Sequence, residues 1–72
     1  MNYEKQFKAG KITEVEFKSV MNYAKAIVND HAETSRTFME FETRVRQDLM
    51  LKQMISLKLI KILIQQHSHE LQ

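Results

Sequence analysis

Three histidines, His31, His67 and His69, are the side chains best suited by type to move a proton or hold a metal near neutral pH. Their spacing does not combine them. His67 and His69 are two residues apart, which turns them to different sides of a helix, whereas His67 and Glu70 can share a face. His31 lies in a polar stretch, residues 29–36, whose only apolar member is Ala32, and it reads as a turn or layer residue. With no Cys in the chain, thiolate sites for zinc or iron–sulfur and disulfide staples are excluded. There is no Gly-rich phosphate loop and no Ser, His and Asp on one rigid frame. The expectation is a non-enzymatic protein with no metal and no cofactor.

Arg36, Arg44 and Arg46 are the remaining residues with binding chemistry, since a guanidinium can pair with phosphates or carboxylates. A small basic all-α dimer that reads DNA is therefore an alternative function. Against it, Glu40, Glu42 and Asp48 stand among those arginines, and the net charge is only +2. Glu40–Arg44, Glu42–Arg46 and Asp48–Lys52 each set the acid four residues before the base, the order that supports a helix. That ladder describes a solvated helix face more simply than a nucleic-acid contact.

The elements that carry these residues follow from composition and period. The chain has 72 residues, 43% of them hydrophobic, with one Gly and no Pro, which leaves little turn chemistry for a sheet and points to an all-α fold. Residues 2–9 form a short helix, and Gly10 sits where a positive φ ends it. Thr13 followed by Glu16 is a capping box, with Ile12 and Phe17 placed as a hydrophobic staple. A helix over 14–29 then presents Phe17, Val20, Met21, Ala24, Ile27 and Val28 at three- and four-residue steps. Phe38, Phe41, Val45 and Leu49 open a second amphipathic run, expected as one long helix over 34–66 with a frayed tail at 67–72.

Residues 29–36 read as the turn of a long antiparallel helical hairpin. The rival is one continuous coiled-coil helix, because Phe17, Ala24, His31, Phe38 and Val45 keep a seven-residue phase across the gap. Of the sixteen residues 49–64, eleven are apolar. Lys58, Lys61 and Gln65 form one polar strip, with Lys52 and Ser56 nearly opposite, so two apolar sides remain. Leu51, Ile55, Leu59 and Ile62 make one, and Met50, Leu57, Ile60 and Ile64 the other. A helix apolar on two sides packs between two neighbours, and a second copy of the chain is the simplest second neighbour.

Leu51, Ile55, Leu57, Leu59, Ile60, Ile62 and Ile64 are accordingly expected at an oligomer interface of a helical bundle, most simply a homodimer. Lys52, Lys58 and Lys61 disfavour a membrane span and, on opposing strips, a membrane-surface helix. Residues 1–9 lack the apolar core of a signal peptide, so a cytoplasmic location is expected. The functional expectation is a small interaction module that binds and inhibits a larger protein, in the style of inhibitors and adaptors of phages and mobile elements.

Overall fold

In a computed structural model, which describes residues 2–70 with side chains for 2–67, the chain forms four helices and, among the described residues, no strand. They are α1 (Tyr3–Lys8), α2 (Glu14–Thr34), α3 (Phe38–Lys52) and α4 (Leu57–Glu70).

Local chemistry sets the first two helices. Asn2 caps α1 by accepting the Lys5 N–H, and Gly10 ends it with φ of 74°. The Gly10 N–H donates to the Phe7 carbonyl and the Lys11 N–H to the Gln6 carbonyl, the paired bonds of a Schellman ending. No atom lies within 4 Å of where a Cβ on Gly10 would stand, so the backbone angle, not crowding, selects glycine there. At Thr13 the capping box is complete: its hydroxyl accepts the Glu16 N–H, and the Glu16 carboxylate accepts the Thr13 N–H, both at 3.1 Å. Phe17 stacks on Phe7 with ring centres 4.8 Å apart and planes parallel to within 1°, tying α1 to α2.

Two breaks correct the expected helix boundaries. Helix α2 continues to Thr34, past the expected end at 29, and α3 starts after Thr37, whose hydroxyl accepts the Glu40 N–H. Thr37 and Glu40 repeat the Thr13–Glu16 signature, but Glu40 pairs with Arg44 at 3.4 Å instead of closing a second box. The continuous coiled-coil helix is thereby excluded. The long helix over 34–66 is also interrupted, since residues 53–56 leave the helical path between α3 and α4. Gln53 takes a left-handed conformation, φ 51° and ψ 29°, at the end of α3. Ser56 then caps α4, its hydroxyl accepting the Leu59 N–H and its carbonyl accepting the Ile60 N–H.

The second break lets the apolar C-terminal segment return to its own chain. Ala24 and Val28 of α2, Phe41, Val45 and Leu49 of α3, and Ile60, Leu63 and Ile64 of α4 are buried together, with Ile55 of the connection. Helix α4 extends through Glu70, into the expected tail at 67–72, and the His67 ring lies 5.4 Å from that of Phe41. Leu71 and Gln72 lie outside the described residues, as do the side chains of His69 and Glu70. Among the described residues, no helix is long and apolar enough to cross a membrane.

Candidate interaction surface

The sequence-expected interface residues separate into two groups. Ile55, Ile60 and Ile64 are buried within the chain's own core, and Leu59 packs against that core. Leu51, Leu57 and Ile62 remain exposed, Leu51 most of all at 84%. The cause of the separation is the break at 53–56. A helical wheel continued through it joins residues whose true phase is reset at Ser56, so Leu51 and Ile55 do not share a stripe.

On α3 the exposed apolar residues follow a pattern of their own. Met39 is 77% exposed and Met50 51%, and they lie eleven residues apart, close to three helical turns. Thr43 and Arg46 fall between them on the same stripe, giving steps of four, three and four. Phe38 and Leu51 flank its two ends, both exposed. The stripe opens onto a groove at the α3–α4 joint lined by Met50, Ile55, Leu57, Gln53 and Asn2. Spacing by sevens and fours was available in the sequence, but α3's other stripe, Phe38, Phe41, Val45 and Leu49, carries the stronger apolar signal.

The arginines are held by neighbours. Arg44 donates through Nη1 to the Thr34 carbonyl at 3.3 Å and the Thr34 hydroxyl at 3.2 Å, so it closes the C-terminal end of α2, where a cation suits the helix dipole. Arg46 pairs with Glu42 at 3.8 Å, and Arg36 lies exposed in the connection between α2 and α3. Each of the two paired arginines therefore brings an acid to any surface it faces. Ser35, in the same connection, has a hydroxyl oxygen shielded from solvent and without a hydrogen-bond partner.

His31 pairs with Asp48 across α2 and α3, Nε2 to Oδ2 at 2.8 Å, and Asp48 also accepts from Lys52. The Lys52 hydrogen bond, followed by that of His31, holds the Asp48 carboxyl below its ordinary range, and the same carboxylate raises Lys52. This arrangement joins α2 to α3. Among the described residues, no group of three His, Asp or Glu side chains converges as a metal site. A cleft of about 210 Å³ between α2 and α4 is lined by Lys25, Val28, Asn29, Leu63, Gln66 and His67. The groove at the α3–α4 joint is larger, about 420 Å³.

Comparison with known protein families, with curated proteins and with solved structures finds no match to this chain.

Proposed function

We propose that this chain is a non-enzymatic interaction module that pairs with a second copy of itself and, so assembled, binds a larger protein. The observation that carries the reading is the stripe Met39, Thr43, Arg46, Met50 on α3, exposed at its two methionines and half-buried between them. Its order is self-complementary. When two α3 helices lie antiparallel about a two-fold axis, Met39 of one faces Met50 of the other and Thr43 faces Arg46. Glu42 then lies on the same side of the pair as the opposing Arg46.

With α3 covered, Leu57 and Ile62 on α4 remain exposed beside Lys58 and Lys61. That surface suits a protein partner with an apolar centre and an acidic rim.

Sedimentation equilibrium of the full chain at high micromolar concentration tests the pairing. The wild type is expected at twice the 8.6 kDa chain mass, and Met39→Asp or Met50→Asp at the single mass with unchanged helical circular dichroism. A wild type that remains at 8.6 kDa overturns it.

A further inference from the structure

The break between α3 and α4 contains none of the residues that stop helices. Its sequence is Gln53, Met54, Ile55 and Ser56, with neither Gly nor Pro, yet Gln53 holds the left-handed conformation that side-chain-bearing residues resist. The residues that follow it are bonded from the other end of the chain. The Tyr3 N–H donates to the Met54 carbonyl at 2.6 Å, and the Glu4 carboxylate accepts the Ser56 N–H at 3.3 Å across 52 residues of sequence. Ile55 is buried in the core between those two contacts.

Without that clasp, the local sequence favours continuation of the helix. A straight helix over 38–66 keeps Phe41, Val45, Leu49, Leu59, Ile60 and Leu63 along one side, with Lys52 and Ser56 between. Straightening removes α4 from its own core and leaves a vacant surface formed by Ala24, Val28, Phe41 and Val45. The element whose shape and pattern match that vacancy is α4 of another copy.

We infer that residues 53–56 are a hinge, closed by α1, whose opening fuses α3 and α4 into one helix and exchanges α4 between two copies of this chain. A short hinge under backbone strain is the setting in which such exchange costs least, because the core packing that one copy gives up is rebuilt between two. The exchanged dimer leaves the Met39–Met50 stripe free, so it is independent of the α3 pairing proposed above.

The test uses the full chain with Gln47→Cys and Gln65→Cys, both at exposed positions of a protein that has no other thiol. Spin-labelled protein is refolded from urea at high concentration with excess unlabelled chain, so that pulsed electron resonance reads distances within one copy. A fused helix places the two labelled positions about 27 Å apart, from 18 residues at ~1.5 Å each. The closed fold gives a shorter distance, since α3 and α4 share one core.

Glu4→Ala is expected to raise the dimer fraction and the 27 Å population together. Gln53→Gly relieves the strain of the closed hinge and weakens the fused helix, so it should lower both by about tenfold or more relative to the wild type. Dimers of Glu4→Ala that keep the short distance overturn the exchange while leaving the α3 pairing intact. If Glu4→Ala does not fold, Gln53→Gly decides: a dimer fraction and distance equal to wild type overturn the hinge.

Discussion

Ile60 and Leu57 stand three residues apart on α4 and are both apolar, but the structure gives them opposite roles. Ile60 is fully buried among Val45, Leu49 and Ile64, whereas Leu57 is 39% exposed. Ile60→Ala removes a branched side chain from a packed core and leaves a cavity, which costs about 3 kcal/mol within a usual range of 2–5. The total stability of a 72-residue domain, at roughly 0.05–0.15 kcal/mol per residue, is about 4–11 kcal/mol, so this one change removes a large share of it. At about 4–8 °C per kcal/mol, the midpoint should fall by roughly 12–24 °C. Leu57→Ala removes a side chain already partly in water and should cost less than about 1 kcal/mol.

Thermal unfolding followed by circular dichroism at 222 nm, over about a hundredfold range of protein concentration, separates a core residue from an interface residue. The Ile60→Ala loss should keep its size at every concentration, because the packing it removes lies within one chain. Two results would refute this reasoning. One is a deficit for Ile60→Ala that shrinks as the protein is diluted. The other is a Leu57→Ala loss as large as that of Ile60→Ala.

Glu4 should make stability depend on pH through the clasp it forms. Hydrogen bonding from Ser56 holds its carboxyl below the ordinary glutamate range, with burial opposing and Lys8 assisting. A carboxylate with a depressed folded pKa contributes fully above its unfolded value and loses that contribution as the pH falls through the folded one. Glu4→Gln should therefore cost about 1 kcal/mol at pH 7, as loss of one charge-assisted bond, and nothing once wild-type Glu4 is itself protonated; urea titrations at both ends of that window check it. Thr37→Ala removes the cap of α3 and should cost about 1 kcal/mol, with faster amide exchange confined first to residues 38–41. An unchanged exchange rate there would show that packing of Phe41, not the cap, sets the start of α3.

Legibility from sequence followed the distance over which each feature is decided. Gly10, Thr13 with Glu16, and the Glu40–Arg44 and Asp48–Lys52 ladder act within one helical turn, and each stands in the structure as its spacing implies. Thr37 with Glu40 carried the same kind of signal as Thr13 with Glu16. It was hidden by the polar run before it, where Asp30, Thr34 and Ser35 compete as caps. The break at 53–56 was not legible, because Gln53 adopts φ 51° against its own preference and the bonds to Met54 and Ser56 come from Tyr3 and Glu4.

That single non-local decision redistributes the apolar surface. A helix unbroken to residue 66 leaves Ile60 and Ile64 without cover and requires a second chain to bury them. The broken helix buries them against Ala24, Val28 and Phe41, and Met39, Met50 and Leu51 on α3 stay exposed. A chain this short cannot cover every apolar face it carries, since only ~60% of its unfolded surface can be buried on folding alone. The break at Gln53 therefore decides whether the apolar face of α4 is covered by its own chain or left for a second molecule.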